Sequence, residues 1–87
     1  DLAIIVDEAI PAEQVEAVIR QAGGRTLSGL RLFDVYRGEQ IGAGKKSLAY
    51  SLTYQSLERT LTDDEVLKIR QRIVRQLEKD LGARLRS

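Results

Sequence analysis

Hydrophobic spacing along this chain switches between the period of a strand and that of a helix in the order β-α-β-β-α-β, and few folds accept that order. Residues 2–6, LAIIV, are apolar on both parities, which suits a central strand. Pro11 suits a first helical turn; Val15, Val18, Ile19 and Ala22 then share one helix face before Gly23 and Gly24 stop it. Residues 27–36 read as a strand, with Gly29 as a bulge or a flexible start. The loop RGEQIGAGK leads to a strand over 47–54, where Leu48, Tyr50, Leu52 and Tyr54 alternate with Ser47, Ala49, Ser51 and Thr53. Thr62 opens TDDE, a capping box in which the Thr62 hydroxyl accepts from the Glu65 N–H and the Glu65 side chain accepts from the Thr62 N–H. The helix it starts should run to about Leu81, burying Val66, Ile69, Ile73, Leu77 and Leu81, and end at Gly82. ARLRS leaves room for a short last strand.

Two right-handed β-α-β crossovers interleaved in one sheet make a ferredoxin-like α/β (α+β) sandwich. The expected architecture is a four-stranded antiparallel sheet in order 4-1-3-2 with both helices on one face, a single domain over residues 1–87. Strands 1 and 3 are expected to be central and parallel to each other. Parity assigns Leu2, Ile4, Val6, Phe33, Val35, Leu48, Tyr50, Leu52 and Tyr54 to the helix-covered core. The open face then carries Ala3, Ile5, Leu32, Asp34, Tyr36, Ser47, Ala49, Ser51 and Thr53. An aromatic ring and a carboxylate beside a row of small residues is an arrangement that core packing does not require.

Several chemistries are excluded. With no His and no Cys, neither a Ser-His nor a Cys-His pair exists, and the usual zinc ligand sets are missing. Capping accounts for Asp63, Asp64 and Glu65 without a metal. GEQIGAGKKS resembles a phosphate-binding loop but fails it: Glu39 stands where the first Gly belongs, Lys46 where the hydroxyl belongs, and a strand follows. Lys45 and Lys46 are then loop residues, free to meet a backbone phosphate or only water. No apolar run approaches the roughly 20 residues of a membrane span, and LAIIV lacks the basic flank of a signal peptide. Absence of Cys is compatible with a reducing cytoplasm. The net charge of +1 hides an asymmetry: residues 1–44 hold four Arg against seven acids, residues 45–87 ten Lys/Arg against six. That basic half could assist contact with a polyanion.

LFDVYRGE, GKKSLAYSLTY and ERTLTDDEV, with DLAIIVDE at the start, AGG after the first helix and LGARLR at the end, closely resemble the C-terminal ferredoxin-fold anticodon-binding domain of the bacterial phenylalanyl-tRNA synthetase beta subunit. The resemblance covers essentially the whole chain and sets its first residue a few positions inside the family's usual boundary. It implies that the open sheet face holds the anticodon loop of tRNA(Phe). The position of Tyr36 stacks on the first anticodon base, a guanine; the position of Asp34 offers it a carboxylate; Ala3 and Ser47 line the pocket. The chemistry is sound in itself. A carboxylate accepts two hydrogen bonds, guanine presents two adjacent donors, and small side chains such as Ala3, Ser47 and Ala49 leave a base room to lie flat. Arg37, Lys45 and Lys46 are the basic residues expected to join the RNA-binding surface. The parent implied is an alpha2beta2 phenylalanine–tRNA ligase of the cytoplasm, using ATP, Mg²⁺ and phenylalanine. This chain is expected to bind none of these, to hold no metal and to catalyse nothing; its partners are tRNA(Phe), the rest of the beta subunit and the alpha subunit, with no membrane.

Two other uses of the same element order compete. An amino-acid-sensing regulatory domain would bind a small molecule near the first loop, but DEAIPAE is acidic and lacks glycine. An acylphosphatase-like hydrolase would need Arg in that loop, where Asp7 and Glu8 would repel phosphate. Fold alone does not choose between them.

Overall fold

The computed structural model describes residues 1–86. β1 (Leu2–Asp7) leads to α1 (Ala12–Gly23), a 3-10 turn at Gly24–Thr26, β2 (Leu27–Tyr36), β3 (Lys45–Tyr54), α2 (Asp63–Leu81) and β4 (Arg84–Leu85). The strands form one sheet in the order β2-β3-β1-β4, which is 4-1-3-2 read from the other edge. Every pairing is antiparallel. β1 and β3 therefore run in opposite directions, not parallel as expected from the sequence. The chain path gives the reason: the α1 crossover makes β1 and β2 co-directional, and the hairpin turn then reverses β3.

The core lies between sheet and helices. Leu2, Ile4 and Val6 of β1 and Leu48 and Tyr50 of β3 pack with Val15 and Ile19 of α1 and with Ile69, Ile73 and Leu77 of α2. The strand residues all share one parity, so both helices cover the same face. Each such fully buried aliphatic side chain contributes about 1.5–3 kcal/mol. Tyr50 is buried to the tip; its hydroxyl donates to the Ala12 carbonyl at 3.4 Å, and burial pushes its pKa up. The capping box of α2 forms as its spelling predicts: Thr62 Oγ1 accepts from the Glu65 N–H at 3.2 Å and Glu65 Oε1 from the Thr62 N–H at 3.0 Å. Gly82 ends the helix in the left-handed region, at φ 63°.

One irregularity decides which side chains reach the open face. Leu32 pairs with Tyr50, yet Asp34 pairs with the adjacent Ala49, so Phe33 is an extra residue in β2, a β-bulge. Before it, Leu30 and Leu32 pack against the core. After it, Val35 stands opposite Leu48, while Asp34 and Tyr36 stand opposite Ala49 and Ser47. Two sequence expectations are thereby corrected. Leu32 belongs to the helix side, and Phe33 is no core residue: it is 46% exposed. The bulge resets the strand's period of two, so a parity counted back from Tyr36 misplaces everything before Asp34. Val35 keeps the helix-side parity, but at the sheet edge it is left 42% exposed.

Candidate nucleic-acid interface

The open face is built in rows that cross the strands. Ala3 of β1 pairs with Ala49 of β3, which pairs with Asp34 of β2; in the next row Ile5 pairs with Ser47, and Ser47 with Tyr36. Paired residues point to the same face, so Ala3, Ala49, Asp34, Ser47 and Tyr36 come together, as the sequence suggested. Asp34 and Tyr36 are two residues apart, about 6.6 Å along the strand. Between them and β1 lies a floor of methyl and hydroxymethyl groups. Asp34 and Tyr36 are exposed, the tyrosine to 39%.

Gly38, just past the end of β2, allows the tyrosine its position. A Cβ there would lie 2.9 Å from the Tyr36 hydroxyl oxygen, closer than real Cβ atoms approach other atoms. Any larger residue would displace the ring tip.

Arg86 belongs to this face and was not foreseen from the sequence. Its backbone N–H donates to the Ala3 carbonyl at 2.8 Å, which continues β4 along β1. Its guanidinium lies 5.1 Å from the centre of the Tyr36 ring, and Nη1 donates to Ser47 Oγ at 3.4 Å. β4 and β2 are on opposite edges of the sheet, roughly 14 Å apart at about 4.8 Å per strand. The two long side chains therefore meet over the small residues between, and Ser47, though on the open face, is only 2% exposed. The available signal was the alternation Arg84, Leu85, Arg86. With Leu85 opposite Ile4 and Arg84 opposite Ile5, both arginines take the open-face parity.

The basic residues of the β2–β3 hairpin form a separate ionic cluster at the end of the sheet. Arg37 forks onto Glu8, with Nη2 2.9 Å from Oε2. Lys45 Nζ donates to Asp7 Oδ1 at 2.5 Å, and Lys46 Nζ lies 3.6 Å from Glu8 Oε2. The Arg37 hydrogen bond, with further help from Lys46, holds the Glu8 carboxyl below its ordinary pKa. Exposure separates the cations: 57% of the Arg37 side chain and 42% of Lys45 is open to solvent, against 10% of Lys46. Lys46 opposes Val6, so its stem runs along the helix side of the sheet. It does not share the face that carries Tyr36. Among the described residues no cluster of acidic residues could hold a metal ion, and no helix is long and apolar enough to cross a membrane.

Comparison with known proteins places the chain in a family. The model of the ferredoxin-fold anticodon binding domain matches residues 1–86. The chain is 51% identical over 86 residues to the phenylalanine–tRNA ligase beta subunit of Clostridium tetani, covering 99% of the chain and 11% of that protein. It is 55% identical over 86 residues to the beta subunit of Moorella thermoacetica, with the same coverage, and 49% identical over 87 residues to that of Symbiobacterium thermophilum, covering 10% of that protein. The chain thus spans about a tenth of the length of the relatives it matches. Its order of strands, its one-sided helices and its match from end to end place it together: the chain belongs to the ferredoxin-fold anticodon-binding domain family.

Proposed function

We propose that the chain is the anticodon-reading domain of a phenylalanine–tRNA ligase beta subunit and that its open sheet face receives the first base of the tRNA(Phe) anticodon. The observation that carries this reading is the convergence of Tyr36, Asp34, Ala3, Ser47 and Ala49 on two adjacent rows of the face that no helix covers. The Tyr36 ring supplies a stacking surface. The Asp34 carboxylate accepts from the two donors on the Watson–Crick edge of guanine. The floor of Ala3, Ala49 and Ser47 lets the base lie close to the sheet. Arg86 rests over the Tyr36 ring, so a base stacking on that face displaces the guanidinium towards the RNA backbone.

Arg37 and Lys45 present exposed cations that a backbone phosphate would have to draw away from Glu8 and Asp7; Lys46 also pairs with Glu8 but is the buried member of the cluster. The domain's contribution is binding and positioning. Aminoacylation, with ATP, Mg²⁺ and phenylalanine, belongs to the remainder of the alpha2beta2 ligase in the cytoplasm. The beta subunits of the relatives support that parentage by their identity to this chain.

Titration with an anticodon stem-loop of tRNA(Phe) tests the reading. The chain should bind it, and Tyr36→Ala should lower the affinity by about 1–3 kcal/mol while the fold is kept. Equal affinity of wild type and Tyr36→Ala would remove the open face from the function. A thermal shift with free amino acids in place of RNA would favour the small-molecule-sensing alternative.

A further inference from the structure

We propose that Phe33 and Arg31 form a second base-binding platform on the open face, which takes another unpaired RNA base close in sequence to the one on Tyr36. This inference rests on the anticodon-reading function and extends it along β2.

The bulge puts Phe33 where core packing gives it nothing to do. Its ring is 46% exposed, whereas the neighbouring Leu30 and Leu32 pack against the core. Arg31 lies between those two leucines and therefore points the other way; it stands opposite Ser51 on the open face. Its guanidinium lies 6.0 Å from the centre of the Phe33 ring, so the ring lies on the open face as well. Ring and guanidinium together are planar surfaces on which a base can stack, and the cation suits a polyanion. No carboxylate pairs with Arg31 among the described residues, unlike Arg37, Lys45 and Lys46.

The surroundings choose the occupant. Ser51, Asp34 and Ala49 border the ring's stretch of the face, small or polar side chains that make no broad apolar patch with Phe33. An unpaired base, flat and polar at its edges, matches that setting better than the apolar face of a protein. Spacing sets which base. Phe33 shares the rung of Asp34 opposite Ala49, and Tyr36 lies two rungs on opposite Ser47, so the two residues are about 7 Å or more apart along the strand, beyond the 3.4 Å rise between stacked bases. The base on Phe33 is therefore not in continuous stack with the base on Tyr36: it is the next nucleotide splayed away, or the next but one.

The test measures affinity of the chain for the anticodon stem-loop and for versions with a single abasic nucleotide one or two positions to either side of the first anticodon base. Phe33→Ala should weaken binding of the intact loop about 5- to 150-fold, with melting unchanged. Phe33→Tyr should bind like wild type, and Phe33→Leu, which keeps an apolar side chain at the bulge, should lose affinity as Phe33→Ala does. On one of the abasic loops the Phe33→Ala loss should vanish, which identifies the stacked base. If Phe33→Ala and Phe33→Leu bind as wild type while Tyr36→Ala is weakened, the second platform is overturned and the first base site stands. A Phe33 loss of equal size on every abasic loop also overturns it, and assigns the ring to a contact other than a base. If Tyr36→Ala and Phe33→Ala both bind as wild type, the platform falls together with the anticodon reading on which it rests.

Discussion

If the open face reads guanine as proposed, Asp34→Asn should leave it barely distinguishing purines. The carboxylate stands in a row whose other members are Ala49 and Ala3, so nothing longer than a methyl group separates it from a base lying over the row. A hydrogen bond to a charged group is worth about 1.5–3 kcal/mol net, and water around the exposed Asp34 pulls the value towards the lower end. The amide keeps one acceptor and turns an NH₂ towards a guanine donor, so one bond is lost and a donor faces a donor. A loss of about 2 kcal/mol corresponds to roughly 30-fold in affinity for the guanine loop. Adenine presents one donor and one acceptor on the same edge, which an amide can match, so the adenine loop should bind the variant no worse than it binds wild type. The assay is fluorescence anisotropy on four combinations: wild type and Asp34→Asn, each with stem-loops carrying guanine or adenine at the first anticodon position. Stability should change by less than about 0.5 kcal/mol, because the side chain is exposed. Equal loss on both loops would refute the pairing between carboxylate and guanine edge.

Gly38→Ala should lower affinity for the stem-loop with little change in melting temperature, since the added Cβ meets the far end of the exposed Tyr36 side chain; unchanged affinity would show that the ring's position is not critical. Lys45→Ala should flatten the salt dependence of RNA binding, whereas Lys46→Ala should leave the slope alone and lower thermal stability, as expected of an exposed cation and a buried one. Acid should destabilise the fold through Glu65, whose carboxyl is held down to about 2 from its ordinary 4.5 by the Arg59 hydrogen bond and then by the Thr62 backbone N–H. A depressed carboxyl stabilises fully above its unfolded pKa and loses that contribution as pH falls through the folded one. Melting temperature should thus drop between about pH 4.5 and pH 2, and Glu65→Gln should make that drop shallower.

The helices were the most legible part of the chain. Val15, Val18, Ile19 and Ala22 announce α1 by spacing, and TDDE announces the start of α2 by chemistry that is local to four residues. Strand β3 was equally plain, because its small and large residues alternate without interruption over 47–54; only its start, at Lys45, lies earlier. β2 defeated a simple count of parity. Its apolar residues sit at Leu30 and Leu32, then at Val35, a change from even to odd that signals an inserted residue between them. Counting from the far side alone sent Phe33 inward. The placement of Asp34 and Tyr36 on the open face survived that error, because both residues lie beyond the bulge. Arg86 was hidden for another reason: its reach across the sheet is a tertiary fact, carried by a strand of two residues too short to show a period. Lys46 likewise shows nothing in sequence to separate it from Lys45, yet one step along a strand puts their side chains on opposite faces.

The irregular pairing of β2 also bears on what the molecule avoids. β2 is an outermost strand, and at ten residues it is long for one. A flat outermost strand of that length would offer a second molecule a ladder of unpaired N–H and C=O groups. β2 carries two shifts of register, between Leu27 and Gly29 and between Leu32 and Asp34, so its free side is broken into short runs. An incoming strand could match one run only by losing step with the next. The inserted phenylalanine that sets the direction of Asp34 and Tyr36 thus also helps to keep separate copies of the domain from growing into a continuous sheet.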